Sequence, residues 1–325
     1  MTLVVLGIDA LDPDLINIDE HPHLTLNANQ PIETIISSSG EPSTHELWPT
    51  IITGLLPENH GLLLDDGVSW ENPLLSKLSS ISDYMLPDTI QTQVGNWLLT
   101  NTGADAFQTP ATYYTDNDIE TVFDNRESIA IGIPNYVVNP DTEDREHQLR
   151  RDMGDLFERD TDAKGGHRSA DPETFYEQCL EMAMTRIARV RRGIRGRQYE
   201  LVFGYTSGLD LIGHVSHDRP DIQQRAYKEI NHFVGELVGD LQEDDELVLV
   251  SDHGLQDGLH TDRAIVASTN SKLLKNISSV IDIRGLIETE LQSRNHMPDS
   301  PWDETKSNSE TAPRVAKQLE DLGYM

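Results

Sequence analysis

Six aspartate and histidine side chains follow strand-like runs of the sequence. The runs are 3–8, 201–205 and 246–250, and each is short and largely apolar. The six side chains are Asp9, Asp210, His214, Asp252, His253 and His260. Because parallel strands present their carboxyl ends at one edge of a sheet, we expect these groups to converge there. Carboxylate oxygens together with imidazole nitrogens suit Zn²⁺ or Mn²⁺ better than Ca²⁺. The pattern therefore predicts two mixed-ligand cation sites.

Each of these residues also has an ordinary structural interpretation. An aspartate after a strand is often a helix cap, and Asp252-His-Gly254 on its own is a plausible turn. Asp210 and His214 lie four residues apart, which places them on the same face of a helical turn. The shared position of all six after strands favours metal binding over six unrelated structural roles.

The elements that would position these groups alternate along the chain. Strands are expected at 3–8, 32–38, 93–98, 128–133, 201–205, 246–250 and 264–267, and helices at 44–55, 176–194, 227–241 and 280–291. This alternation predicts an α/β fold: a doubly wound, mostly parallel central sheet with helices on both faces and an inserted cap region.

Composition and pattern divide the chain into three regions. Residues 1–99 and 196–292 are predicted to form the catalytic core. Residues 100–195 are predicted to hold an insertion or cap and an amphipathic helix, and substrate specificity is expected from 100–170. Residues 293–325 are predicted to form a flexible segment followed by a helix.

The charge of the chain is strongly negative. It has 56 Asp and Glu against 25 Lys and Arg, a formal net charge of −31. Such self-repulsion is relieved by salt, which favours a halophilic protein over a merely acidic mesophilic one. The same charge argues against nucleic acid as a partner. One basic cluster either balances neighbouring acids, the favoured interpretation, or lines an entrance for an anionic substrate: Arg186, Arg189, Arg191, Arg192, Arg195 and Arg197.

Other features bound the environment of the protein. Cys179 is the single cysteine and is expected in the core, so no internal disulfide is predicted. The sequence has no run of about 18 apolar residues, so no membrane span is predicted. A strand-like run begins at Leu3 and leaves little room for a signal peptide, so a cytoplasmic location is expected. The oligomeric state cannot be inferred from the sequence.

Several motifs carry a resemblance to a known family. They are Gly7-Ile-Asp9, Pro42–Thr50, Thr53-Gly54, Pro57-Glu-Asn-His-Gly61, Asp210-x-x-Gly-His214, Ser251-Asp-His-Gly254 and His260. In order and relative spacing the sequence resembles the alkaline phosphatase superfamily, and within it the type I phosphodiesterase / nucleotide pyrophosphatase branch. The resemblance runs from residue 1 to about 268 and is weak over 100–195.

The resemblance implies a specific arrangement. One cation is implied at Asp9, Thr44, Asp252 and His253, and a second at Asp210, His214 and His260. Thr44 is implied to be the nucleophile, which forms a phospho-threonine intermediate from a small anionic phosphate ester. Thr44 begins a predicted helix, where backbone N–H groups favour an anion, and an ordinary N-cap role is compatible with this.

The sequence departs from the nucleotide pyrophosphatases beside the nucleophile. They carry Pro and Asn where this chain has Glu46 and Leu47, which weakens a nucleotide-specific interpretation. No sulfatase motif is present. Ser43, at the position next to Thr44, suggests the serine of phosphoglycerate mutases, but the residues after it fit phosphodiesterases better.

Charge near the motifs bears on the substrate. No Lys or Arg occurs before Lys77, and a phosphomonoester needs more positive charge than a diester does. A phosphodiesterase is therefore expected, with a phosphomonoesterase or a non-catalytic metal-stabilised binding protein as alternatives. The other motif segments have only Arg219 and Arg263 close to them. If the substrate were a monoester, Lys164 or Arg168 of the predicted insertion would have to supply the additional positive charge. His217 and Arg219 are candidate substrate contacts.

Overall fold

The computed structural model describes residues 1–37, 40–63, 109–138, 156–160 and 167–292. The strands are β1 Leu3–Ile8, β2 Ala28–Glu33, β3 Ser128–Ile131, β4 Glu158–Arg159, β5 His167–Arg168, β6 Leu201–Thr206, β7 Glu246–Val250, β8 Gly254–Gln256, β9 Leu259–Thr261 and β10 Arg263–Ser268. The helices are Pro22–Thr25, Thr44–Thr53, Pro57–His60, Thr112–Asp116, Pro172–Gly196, Gly208–Val215, Pro220–Val238 and Ile283–Gln292, with a 3₁₀ turn at Val280–Asp282.

Six of these strands form one central sheet in the order β2-β10-β7-β1-β6-β3. Strand β1 runs parallel to β6 and β7, and β3 runs parallel to β6. Strand β10 is antiparallel to both of its neighbours, β7 and β2. The register places Gly7 opposite Tyr205 on one side and Val250 on the other. The residues that follow β1, β6 and β7 therefore emerge at the same edge of the sheet.

Helices cover both faces of this sheet. On one face, Val4, Leu6 and Ile8 of β1 pack with the helices Pro172–Gly196 and Pro220–Val238. On the other face, Leu3 and Val5 of the same strand pack with the helices Thr44–Thr53 and Ile283–Gln292. Alternate residues of a strand point to opposite faces, so a strand buried on both sides is apolar throughout. The predicted fold class, a doubly wound and mostly parallel sheet between two helical layers, is confirmed.

One predicted strand is displaced along the chain. The sequence analysis expects a strand at 32–38, whereas β2 spans Ala28–Glu33. Three of its six residues are polar, and Pro31 pairs with Ile265 of β10. A proline is tolerated there because β2 is an edge strand. The predicted strand at 93–98 and the predicted C-terminal helix lie outside the described residues.

Part of the predicted insertion contributes to the central layers. Within 100–195, strand β3 pairs with β6, and the helix Pro172–Gly196 packs on the sheet. The start of that helix follows from local sequence, since Asp171 accepts a hydrogen bond from the Thr174 N–H and Pro172 occupies the first turn. The predicted boundaries of the domains as a whole stay a prediction.

Three of the six arginines in the basic cluster pair with acids. Arg191 and Arg195 both contact Asp240, and Arg197 contacts Asp245. Cys179 lies on the same helix as Arg191 and is buried in the hydrophobic core, as expected. Among the described residues, no helix has the length and apolar character that a membrane-spanning segment needs.

Candidate metal centre

The first cluster consists of Asp9, Asp252 and His253. Asp9 follows β1, and the other two residues follow β7. His253 Nε2 lies 3.3 Å from Asp9 Oδ1 and 3.4 Å from Asp252 Oδ2. All three side chains are buried, and one ligand atom from each lies within 4.8 Å of the others. This geometry is able to hold one metal ion.

The second cluster consists of Asp210, His214 and His260. Asp210 and His214 lie on the helix Gly208–Val215, and their four-residue spacing brings Nε2 of His214 to 3.3 Å from Asp210 Oδ1. His260, on β9, contributes Nε2 at 3.5 Å from the same oxygen. The two Nε2 atoms are 3.0 Å apart. These residues are partly exposed, and they too can hold one metal ion.

The two clusters adjoin each other. The imidazole rings of His253 and His260 stack with centroids 4.0 Å apart and an interplanar angle of 25°. The six side chains predicted to converge therefore do so, at the carboxyl edge of the sheet.

Backbone carbonyls orient all three imidazoles. The Nδ1 atoms of His214, His253 and His260 lie 2.9–3.1 Å from the carbonyl oxygens of Gly258, Gly254 and Pro42, respectively. A carbonyl only accepts a hydrogen bond, so each Nδ1 carries the donated proton. In the neutral ring Nε2 then presents its lone pair to the cluster, as in the outer sphere of known metal sites.

The carboxylates indicate that the clusters fit cations. Both oxygens of Asp252 are buried, and neither has a hydrogen-bond partner among the described residues. Burial, the largest cause, raises the pKa of Asp252 to about 6. Burial together with the charges of Asp252 and Asp210 raises the pKa of Asp9. A buried carboxylate without donors, as at Asp252, is unfavourable, and a divalent cation would offset the charge of both carboxylates.

Thr44 lies beside the first cluster. Its hydroxyl oxygen is 3.2 Å from His253 Nε2 and 3.4 Å from each oxygen of Asp9. Thr44 is the first residue of the helix Thr44–Thr53, whose N-cap is Ser43. The first N–H groups of a helix lack partners within it and favour an anion.

Two residues for which no role of their own was predicted anchor this helix, and one of them, His60, lies within the Pro57-Glu-Asn-His-Gly61 motif. Pro49 has no N–H to donate to the carbonyl of His45, and the side-chain amide of Asn135 donates to that carbonyl instead, at 2.9 Å. Nε2 of buried His60 lies 3.2 Å from the Glu46 carbonyl, and burial lowers the pKa of His60 to about 4, so its ring is neutral. The proline inside the predicted helix could have indicated that another group must donate to the His45 carbonyl, as Asn135 does.

A glycine allows this helix to approach the sheet. Gly7 lies on β1, and a Cβ atom added there would lie 2.3 Å from Cη2 of Trp48. Trp48 is fully buried and packs edge-on against Tyr205 of β6, with ring centroids 4.9 Å apart. The Gly7-Ile-Asp9 motif therefore has a packing role as well as supplying Asp9.

The basic candidates for substrate contact are paired with acids. Arg263 donates to Asp14 at 2.8 Å, Arg168 donates to Glu158 at 3.0 Å, and Arg219 lies 3.8 Å from Asp218. Lys164 lies outside the described residues. Glu46, which the sequence places two residues after Thr44 and so near the expected anion site, is a buried residue of the same helix.

Three solved structures illustrate what this chain is similar to. Mouse ectonucleotide pyrophosphatase / phosphodiesterase 5 is 17% identical with a TM-score of 0.38, and the match covers 78% of this chain and 57% of that one. Alkaline phosphatase from the Antarctic bacterium TAB5 is 11% identical with a TM-score of 0.46, covering 90% and 98%. The PH0037 protein of Pyrococcus horikoshii is 10% identical with a TM-score of 0.40, covering 92% and 98%. This chain thus spans 57% of the length of the mouse protein.

Curated protein sequences gave no match. The family model described as type I phosphodiesterase / nucleotide pyrophosphatase matches residues 3–319, which is nearly the whole chain. The chain belongs to the type I phosphodiesterase / nucleotide pyrophosphatase family.

Proposed function

We propose that this protein hydrolyses phosphodiesters, with Thr44 as the nucleophile and one divalent cation, Zn²⁺ or Mn²⁺, at each cluster. The observation that carries the proposal is the position of the Thr44 hydroxyl, 3.2 Å from His253 and 3.4 Å from Asp9 in the first cluster. A protein that only bound metal would have no need of a hydroxyl at that point.

The residues of the site divide the work. Asp9, Asp252 and His253 would hold one cation beside Thr44, and the second cluster would hold the other. Bound divalent cations supply Lewis acidity, which makes a nearby hydroxyl easier to deprotonate and offsets negative charge on phosphoryl oxygens. The backbone N–H groups that begin the Thr44 helix favour the phosphoryl group at the same place.

The reaction itself has two displacements at phosphorus. The Thr44 oxygen forms a bond to phosphorus, the bond from phosphorus to the leaving oxygen breaks, and the proton lost by Thr44 is balanced by the one that the departing alcohol takes up, giving phospho-threonine. Water then attacks phosphorus and the bond to the Thr44 oxygen breaks, which releases the phosphate monoester and restores the hydroxyl.

The charges near the site favour a diester as substrate. A monoester dianion needs additional cationic groups, usually Arg or Lys. Arg263 and Arg168 are engaged with Asp14 and Glu158, and no Lys or Arg precedes Lys77 in the sequence. A diester carries a single negative charge and needs less compensation.

The test compares two substrates that share a leaving group. Bis(4-nitrophenyl) phosphate and 4-nitrophenyl phosphate would be assayed side by side with Mn²⁺ or Zn²⁺ in molar salt. We expect a higher kcat/KM for the diester. A monoester preference would instead indicate a basic group delivered from elsewhere in the chain, and turnover of neither substrate would indicate a binding protein.

Two variants test the nucleophile. Thr44→Ala should retain fold and metal content while losing turnover by several powers of ten, because a covalent nucleophile is removed. Ser43→Ala is the matched control: its side chain makes no capping hydrogen bond, so the variant should keep nearly full activity. A near-normal rate for Thr44→Ala would refute the covalent route.

A further inference from the structure

Tyr205 contacts the first cluster through Asp9. It lies on β6, beside β1, and its hydroxyl donates to Asp9 Oδ2 at 2.5 Å. The residue is 5% exposed, so the hydroxyl and the carboxylate meet away from solvent. A hydrogen bond from a buried donor to a charged acceptor is among the stronger ones in proteins.

The two oxygens of Asp9 have different surroundings. Oδ2 accepts from Tyr205, whereas Oδ1 lies 3.3 Å from Nε2 of His253, on the side of the other cluster members. The hydroxyl of Tyr205 therefore fixes the rotation of the carboxylate. It leaves Oδ1 directed to the position that a cation would take between Asp9, Asp252 and His253.

Tyr205 is itself held from two sides. The Trp48 ring packs edge-on against it at 4.9 Å, and Trp48 belongs to the helix that carries Thr44. The guanidinium of buried Arg186 lies 5.2 Å from the centroid of the Tyr205 ring, and Arg186 donates to the Tyr205 carbonyl at 3.2 Å. These contacts allow the ring little freedom to turn away from Asp9.

We propose that Tyr205 is a positioning residue for the first cation site, acting through its hydrogen bond to Asp9. Its hydroxyl would hold Asp9 Oδ2, so that Oδ1 faces His253 and is available to a cation, and it would not act on substrate directly. This inference rests on the proposed function, since it needs a cation at the first cluster. Partners in the second coordination sphere of metal sites typically change affinity by about 10- to 100-fold when they are removed.

The test isolates each site in turn. His260→Ala disables the second cluster, and Mn²⁺ or Zn²⁺ titrated by calorimetry into that variant reports the first site. Adding Tyr205→Phe removes the hydroxyl and keeps the ring against Trp48. We expect binding at the first site to weaken by about 10- to 100-fold. In a variant with Asp252→Ala, which leaves the second site, Tyr205→Phe should change affinity by less than about threefold, since Tyr205 does not contact the second cluster's ligands.

Tyr227→Phe is the matched control. The Tyr227 hydroxyl is also buried and also bonds the segment after β1, but it contacts the backbone of Ala10 and Asp12 and no member of the first cluster. In the His260→Ala background this variant should leave the affinity of the first site within about threefold, since its hydroxyl is not a partner of a ligand. Thermal melting of the metal-free variants measures any general loss of stability.

The outcomes separate the inference from the proposed function. If no cation binds to the His260→Ala protein, the proposed first site is wrong. If cations bind there with the same affinity with and without Tyr205→Phe, the role of Tyr205 is refuted while the site stands. Equal weakening of both sites by Tyr205→Phe, or equal weakening by Tyr227→Phe, would also refute it, because the hydroxyl would then act only on general stability.

Discussion

Replacing Gly7 with alanine should separate the position of Thr44 from its chemistry. The added Cβ atom would lie 2.3 Å from Cη2 and 2.5 Å from Cζ3 of Trp48, where ordinary contact begins at 3.4 Å. Trp48 is fully buried in the helix that begins at Thr44, so its ring cannot swing into solvent. The ring, or the helix with it, must move by about 1 Å.

The cost follows from that displacement. Inserting a methyl group into a well-packed core typically destabilises a protein by about 1–3 kcal/mol. A catalytic group displaced by about 1 Å loses roughly 100-fold in rate. We therefore expect Gly7→Ala to lower kcat far more than its modest loss of stability explains, while both clusters still bind cations.

The assay is a comparison of four proteins. Unfolding in denaturant and kcat for the aryl diester would be measured for the wild type, Gly7→Ala, Trp48→Phe and the double variant. Phenylalanine lacks the outer ring atoms that the Cβ would meet, so the double variant should recover activity relative to Gly7→Ala. Gly285→Ala is the control, because a Cβ there meets nothing within 4 Å. It should be neutral or stabilising, as alanine exceeds glycine in helix propensity. Wild-type kcat in Gly7→Ala, or no recovery in the double variant, would refute the packing argument.

Three further predictions concern cations, protons and salt. Removal of metal with a chelator should abolish turnover. After reloading, elemental analysis should find one ion per chain in Asp9→Ala and in His214→Ala, against two in the wild type. Two ions per chain in both variants would contradict the two clusters. Burial lowers the pKa of His260, but contact with Asp210 outweighs it and raises that pKa to about 9. Burial also lowers the pKa of His214, but Asp210 outweighs it and raises that pKa. In Asp252→Ala at about pH 7.5, cation binding to the second cluster should therefore release at least about one proton. The absence of proton release, measured by calorimetry in two buffers of different ionisation enthalpy, would contradict ligation by these two histidines. The melting temperature should rise between low and molar salt because the net charge is −31, and a flat profile would argue against a halophilic protein.

The parts of the fold that were predictable are those whose side chains are uniformly apolar. Strands β1, β6 and β7 are buried on both faces, so their sequences alone mark them as central strands. The rule that parallel strands share one carboxyl edge then places the aspartates and histidines that follow them. Chain order and topology are enough to predict that the six side chains converge, whereas the distances between them come from the structure.

The parts that were missed depend on partners distant in the chain. Strand β2 lies at the sheet edge and only half of its residues are apolar, so its limits follow from its pairing with β10 and not from an apolar run of its own. Asn135 lies 90 residues from the His45 carbonyl that it anchors, and Tyr205 lies 196 residues from Asp9. Neither residue type nor local spacing distinguishes such contacts before the fold is known.

The contacts around Thr44 indicate which part of the site needs a cation. Asn135 and His60 hold the first turn of its helix through backbone carbonyls, and Trp48 seats that helix against Gly7. None of these contacts passes through a cluster residue, so the fold positions the hydroxyl without metal. The buried carboxylates are different: burial and neighbouring charges raise the pKa values of Asp9 and Asp252, and Asp252 has no hydrogen-bond donor among the described residues. In the proposed mechanism a cation would offset the charge of these carboxylates and supply reactivity, whereas the contacts of its helix position Thr44.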